Sequence, residues 1–275
     1  MPEIPVNGVD YHVEITGEGA PLVLLHGFTG SSQNWRPLIP EFSKYYQAIA
    51  IDLLGHGLTD SPLHAERYQM DCAAQDLVEI IKRVAPEPVN LIGYSMGGRL
   101  ALYIALHYPD YIHRLILESA SPGLDTSDER QARIASDLQL AQRIQSEGIE
   151  AFIEYWESIP LFESQRHLSA ATRNDLRAQR LKNDPTGLVN SLIGMGTGAQ
   201  ASLWNQLQLL KKPVLLIAGQ MDRKFVAIAE RMHYASPIIS LVVVTAAGHT
   251  VHLEQPEKFQ QVVLNFLAER SESNS

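Results

Sequence analysis

The sequence predicts an α/β fold: a mostly parallel central sheet flanked by helices, with a helical cap inserted before the last strands. Two patterns carry that prediction. Through residues 1–120, short continuous apolar runs alternate with amphipathic segments, and such runs suit parallel strands buried on both faces. Residues 121–208 lose the strand-like runs, which return within residues 209–270.

Pro21-Leu22-Val23-Leu24-Leu25 and Tyr46-Gln47-Ala48-Ile49-Ala50-Ile51-Asp52 are the first two strands. From Met70 to Val84, the residues Cys72, Ala73, Leu77, Ile80, Ile81 and Val84 recur at helical spacing, and Asp71 is expected to cap the start. Val89 to Ile92 is the next strand. Beyond Gly97, Leu100, Ala101, Tyr103, Ile104, Ala105 and Tyr108 continue a helix that Pro109 stops. Arg114 to Glu118 then completes this half of the sheet. In the cap, residues 121–208, helices are expected around Arg130 to Gln145, Gly148 to Glu157, Ala171 to Leu181 and Leu188 to Ile193. Pro213 to Ala218 and Leu241 to Val244 resume the sheet, and Glu257 to Ala268 supplies a closing helix. The polar residues 271–275 are expected to form a flexible tail.

Composition narrows the function. Apolar content of 45% and charged content of 19% are those of an ordinary folded soluble chain, while a net charge of −9 argues against a nucleic-acid partner or an anionic membrane surface. The single Cys72 cannot form an internal disulfide, and no apolar run approaches the roughly 20 residues of a membrane span. Met1-Pro2-Glu3-Ile4-Pro5 lacks the basic and then hydrophobic pattern of a secretory signal. A cytoplasmic protein without stable membrane insertion is the expectation; its oligomeric state is not legible. The histidines show no metal-ligand spacing, and neither a P-loop nor a dinucleotide fingerprint occurs, so no metal or organic cofactor is expected. Glu14, Glu18 and Glu79 lack the context of a paired glycosidase site.

Gly93-Tyr94-Ser95-Met96-Gly97 lies between a strand and a helix, which is the setting of a nucleophile elbow. The glycines permit a sharp turn that lifts the Ser95 hydroxyl above the sheet edge. Asp222 follows the strand at 213–218 and His249 follows the one at 241–244. Loops at the carboxyl ends of parallel strands converge, so Ser95, Asp222 and His249 can meet as a catalytic triad in the chain order of this architecture. His249 would take the serine proton while Asp222 holds its other ring nitrogen. Asp222 has an alternative as the cap of a helix near 223–232, and His249 as a partner for loop backbone. His26-Gly27-Phe28-Thr29-Gly30 follows the first strong strand, and the N–H groups of Phe28 and Met96 are the expected oxyanion donors. His26 reads as a loop organiser, Asp52 as a partner for the Gly55-His56-Gly57 backbone, and His252 as packing beside the catalytic loop.

With these motifs in place, the chain resembles the α/β-hydrolases, and within them the family of 2-succinyl-6-hydroxy-2,4-cyclohexadiene-1-carboxylate synthases of menaquinone and phylloquinone biosynthesis. The more specific segments are Gly93-Tyr94-Ser95-Met96-Gly97-Gly98-Arg99, Glu129 to Arg133, Trp156 to Phe162, Arg180 to Asn183, and Gly194 to Trp204. The resemblance implies an α/β-hydrolase fold and a lyase that eliminates pyruvate from a small polycarboxylate, with Ser95 as the base that removes a ring proton. It also implies substrate-binding roles for Arg99, Arg133 and Arg180, with Tyr94 and Trp156 lining the cavity. Arginine grips a carboxylate with two parallel donors, and Arg99 lies one helical turn from Ser95. For the cap arginines the alternative is an ordinary solvated surface, and Trp204 reads as structural. Two other functions use the same residues: a serine hydrolase acting on esters or carbon–carbon bonds of carboxylated substrates, and an inactive hydrolase-like binding module.

Overall fold

The computed structural model describes residues 3–269; the tail at 271–275 lies outside them. Among these described residues, eight strands form one sheet: β1 (Glu3–Val6), β2 (Val9–Thr16), β3 (Ala20–Leu25), β4 (Tyr46–Ile51), β5 (Val89–Tyr94), β6 (Ile112–Glu118), β7 (Val214–Gly219) and β8 (Ile239–Val244). Their spatial order is β1-β2-β4-β3-β5-β6-β7-β8. β1 pairs antiparallel with β2, β2 antiparallel with β4, and all later pairings are parallel.

The helices are α1 (Ile39–Phe42), α2 (Met70–Val84), α3 (Met96–His107), α4 (Ser127–Ser158), α5 (Ala170–Arg180), α6 (Pro185–Met195), α7 (Arg223–Ala235), α8 (Val251–Glu254) and α9 (Pro256–Ala268). The central strands β3 and β7 are apolar throughout, and β4, β5 and β6 largely so, because both faces are covered. Val23, Leu25, Leu91, Leu115, Leu117 and Leu216 face one layer, with Leu77 of α2, Leu100 of α3 and Met232 of α7. Leu22, Leu24, Ile92, Ile116, Leu215 and Ile217 face the other, with Trp35, Phe42 and Phe259, Val263 and Phe266 of α9. Side chains alternate across a strand, so each run feeds two cores, and each buried leucine or isoleucine contributes about 1.5–3 kcal/mol.

β1 and β2 form a hairpin absent from the sequence-based expectation. Asn7 and Gly8 have φ of 50° and 79°, the two-residue turn geometry that Asn-Gly favours. The signal was present in the alternation of buried Val9, Tyr11 and Val13. Asp71 is a second correction. Gln69 occupies the cap position of α2, and Asp71 sits inside the first turn, where its charge favours the helix dipole without capping a backbone amide.

Between β6 and β7 the chain inserts α4, α5 and α6. The two helices expected before Glu157 are continuous but for Gly148, whose φ of 83° and ψ of 172° kink α4. Thr126 and Glu129 close a reciprocal capping box at its start. Ile144, Phe152 and Ile153 pack on Leu188, Val189 and Leu192 as a separate apolar cluster. The insertion is tied to the sheet through Asn183, which accepts from Gly57 N–H at 3.0 Å and donates to the Thr29 carbonyl at 2.9 Å.

Sheet register sets the functional edge. Leu25 pairs with Gly93, Tyr94 with Glu118, and Gly219 with Val244. The loops that follow therefore leave the sheet side by side.

Candidate active site

Ser95 joins β5 to α3 with φ of 50° and ψ of −106°, a conformation costing a non-glycine residue about 1–3 kcal/mol. Its surroundings over-determine it. Ser95 N–H donates to the Glu118 carbonyl at 2.9 Å and Gly97 N–H to the His26 carbonyl at 3.1 Å. A Cβ at Gly93 would lie 2.5 Å from the Gly97 carbonyl oxygen, and one at Gly97 would lie 2.5 Å from that of His26. Only glycine fits either place.

From this elbow the Ser95 hydroxyl reaches His249 Nε2 at 3.1 Å, and His249 Nδ1–H donates to Asp222 Oδ2 at 2.7 Å. The carboxylate fixes the tautomer, leaving Nε2 to accept the serine proton. Asp222 also caps α7, its other oxygen accepting Phe225 N–H at 3.3 Å. Its two sequence readings thus describe two oxygens of one side chain. The Phe225 ring packs 4.6 Å from the His249 ring. Glu254, which sequence reasoning missed, steadies the histidine loop by accepting Gly248 N–H at 2.8 Å and Thr250 N–H at 3.1 Å.

Beside the triad, the loop after β3 is organised by His26, whose Nε2 accepts Leu53 N–H at 2.9 Å while Nδ1–H donates to the Gly27 carbonyl. Burial lowers its pKa to about 4, so it is neutral at physiological pH. Asp52 accepts from the amides of Ser32 and Leu58, which closes the neighbouring loop. Among the described residues, the amides of Phe28 and Met96 donate to no other protein group, and both residues line the cavity over Ser95. Met96 N–H opens α3 and adds the positive end of that helix.

The cavity has a volume of about 180 Å³ and is walled by Phe28, Tyr94, Trp156, Phe162, Leu192 and Phe225, with Ser95 and His249 at its floor. Arg99, Arg133 and Lys224 also line it, and among the described residues no Asp or Glu does. Arg99 is held by Gln200 Oε1 and the Met195 carbonyl, each at 2.8 Å. Burial, then the charge of Arg133, lowers its pKa to about 10 against an opposing effect of Asp137; it stays charged near neutrality. Arg133 donates through Nε to Asp137 at 2.7 Å. No helix among the described residues is long and apolar enough to cross a membrane. No cluster of metal-ligating side chains occurs among them either.

The family model of the alpha/beta hydrolase fold matches residues 20–256. A putative 2-succinyl-6-hydroxy-2,4-cyclohexadiene-1-carboxylate synthase of Bacillus subtilis (strain 168) is 48% identical over 263 residues, covering 95% of this chain and 96% of the relative. The chain belongs to the 2-succinyl-6-hydroxy-2,4-cyclohexadiene-1-carboxylate synthase family. A synthase of Serratia proteamaculans (strain 568) is 32% identical, covering 90% of this chain and 92% of its own. The solved structure of MenH from S. aureus superposes with a TM-score of 0.89 at 36% identity, covering 94% of this chain and 97% of that one. The enol-lactonase from Burkholderia xenovorans LB400, at 22% identity and a TM-score of 0.84 over 98% and 100% of the two chains, shares the fold.

In this synthase-family chain the residues singled out from sequence divide by position. Arg99, Arg133, Tyr94 and Trp156 line the Ser95 cavity, whereas Arg180 lines a smaller adjoining one. Arg180 is 5% exposed and donates to Glu157 at 3.1 Å and Gln165 at 3.3 Å. Gln165 in turn donates to Thr250 Oγ1 at 2.7 Å, so the arginine is linked to the residue after His249. Trp156 stacks on Phe152 and meets Phe28 edge-on, and its indole N–H is buried without a protein partner. Trp204 donates to the Gly123 carbonyl and carries Arg231 on its ring at 3.7 Å, consistent with packing. His252 does more than pack: it pairs with the buried Glu118 carboxylate at 2.8 Å. No sequence signal joined these two residues.

Proposed function

We propose that the chain is a carbon–oxygen lyase that eliminates pyruvate from 2-succinyl-5-enolpyruvyl-6-hydroxy-3-cyclohexene-1-carboxylate, yielding 2-succinyl-6-hydroxy-2,4-cyclohexadiene-1-carboxylate. The observation that carries this reading is the cavity's polarity. In a chain of net charge −9, the space above Ser95 is lined by Arg99, Arg133 and Lys224 and, among the described residues, by no carboxylate. Such a site favours a small polyanion.

The chemistry follows from the substrate's bonds. The ring carbon bearing the succinyl group is adjacent to a ketone, so its proton is the acidic one. His249 takes the Ser95 hydroxyl proton, with Asp222 stabilising the imidazolium, and the Ser95 oxygen removes the ring proton. The electron pair delocalises onto the ketone oxygen, where the amides of Phe28 and Met96 donate; each such donor is worth about 10²–10³ in rate. The ring double bond then shifts and the bond to the enolpyruvyl oxygen breaks. The departing enol takes up a proton and becomes pyruvate, so no acyl-enzyme forms and no water is consumed. Arg99 and Arg133 hold carboxylates in register while Tyr94 and Trp156 bound the ring.

This reading makes the partner a small polycarboxylate and the place of action the cytoplasm. The test is product stoichiometry. Freshly generated substrate should give pyruvate and the conjugated diene in equal amounts, faster than spontaneous decay. Hydrolysis of an ester or carbon–carbon bond, with no diene, would refute it.

A further inference from the structure

We propose that Lys224 is a substrate-binding residue of this site, gripping the enolpyruvyl carboxylate and then the carboxylate of released pyruvate. The proposal rests on the elimination reading above. That substrate carries carboxylates on the ring, on the succinyl arm and on the enolpyruvyl group, and the cavity offers cations from separate walls. Arg99 comes from α3, Arg133 from α4 and Lys224 from α7. Arg180 faces the adjoining cavity and is engaged by Glu157.

Placement assigns the carboxylate. Lys224 lies two residues beyond Asp222, and its ammonium is 5.9 Å from the ring centroid of Phe225, the ring that packs on His249. It therefore stands on the histidine side of the cavity. His249 is the group that carries the abstracted proton, so the fragment that finally accepts a proton, the departing enol, belongs on this side.

The helix itself gives an independent observation. α7 opens with Arg223 and Lys224 and has no acidic residue in its first turn, an arrangement that opposes the helix dipole. Only the Asp222 cap offsets it, and that carboxylate is shared with His249. Lys224 makes no ion pair with a carboxylate among the described residues. Beyond its contact with the Phe225 ring, a lysine there has no carboxylate partner among the described residues and suits an incoming anion.

The experiment compares wild type, Lys224→Gln and Lys224→Arg in steady-state elimination at low salt, with pyruvate and succinate as inhibitors. Losing one charge-assisted contact should lower kcat/KM about 10-fold or more in the Gln variant, with recovery in the Arg variant. Pyruvate inhibition should weaken with it while succinate inhibition holds, and the urea midpoint should stay level or rise. A Gln variant with wild-type kcat/KM overturns the role. Equal weakening toward pyruvate and succinate overturns the assignment to the enolpyruvyl carboxylate. A folded wild type that forms no pyruvate and diene refutes the elimination reading itself, and this proposal falls with it.

Discussion

The Glu118 carboxylate grips His252 twice, accepting its ring N–H at 2.8 Å and its backbone N–H at 2.9 Å. Both side chains are essentially inaccessible, at 0% and 1% exposure. The backbone carbonyl of Glu118 meanwhile receives Ser95 N–H. One residue thus anchors the nucleophile turn and the segment that follows His249, and Trp35 and Tyr94 enclose the imidazole at 4.6 and 4.8 Å.

Removing that carboxylate leaves the ring and backbone donors of His252 buried without partners. Glu118→Ala is expected to cost about 2–5 kcal/mol, and Glu118→Gln, which keeps an acceptor, less. Urea unfolding monitored by fluorescence measures it. A loss below about 1 kcal/mol for the alanine variant would mean that the pair does not hold the two loops together.

Acid stability should report the buried histidines. Burial lowers His26 to about 4, and burial followed by the neighbouring charge of His26 lowers His56 to about 3. The unfolded chain takes up these protons near pH 6.5 and the folded chain does not, so this stability is complete above about 6.5 and declines as pH falls toward about 4 and 3. Each histidine contributes a slope of about 1.4 kcal/mol per pH unit inside its window. Urea midpoints taken from about pH 7 to about pH 4.5 should fall, and His56→Asn should flatten the decline. An identical slope in the variant would assign the acid sensitivity to other groups.

The elbow leaves no room for a methyl group at Gly98. Its Cβ would lie 2.6 Å from Ala120 Cβ and 2.8 Å from the Gly93 carbonyl oxygen. Gly98→Ala should destabilise by about 1–3 kcal/mol and lower turnover, because the strand–helix junction that aims Ser95 must shift. Thermal unfolding and elimination rate should change together; an unaltered rate would show that the junction tolerates the displacement.

Arg99 is the cavity cation most firmly fixed before substrate arrives, through Gln200 and the Met195 carbonyl. Arg99→Ala should reduce kcat/KM by about 10²-fold or more, mostly through KM, and Arg99→Lys should recover little because the fork geometry is lost. Full rescue by lysine would mean that charge alone suffices there.

The central sheet was legible because β3 to β7 are largely buried on both faces and therefore read as runs rich in apolar residues. β1 and β2 escaped because their alternating pattern is short, although Asn7-Gly8 marked the turn. Ser95, Asp222 and His249 could be placed near one another because each follows its own strand, and sheet register carries the loops to one edge. The Glu118–His252 pair was not legible: 134 residues separate the two, and neither type announces burial. Arg180 shows the same limit. Its side chain is directed by Glu157 and Gln165, contacts made only after α4, α5 and the intervening turn have packed.

The most direct measurement is the single-turnover rate of pyruvate release by wild type and Ser95→Ala, each verified as folded and corrected for spontaneous elimination. If Ser95 is the base, the variant should lose about 10³-fold or more while still binding the substrate. Turnover by Ser95→Ala at the wild-type rate would contradict the account and leave the proton transfer to another group.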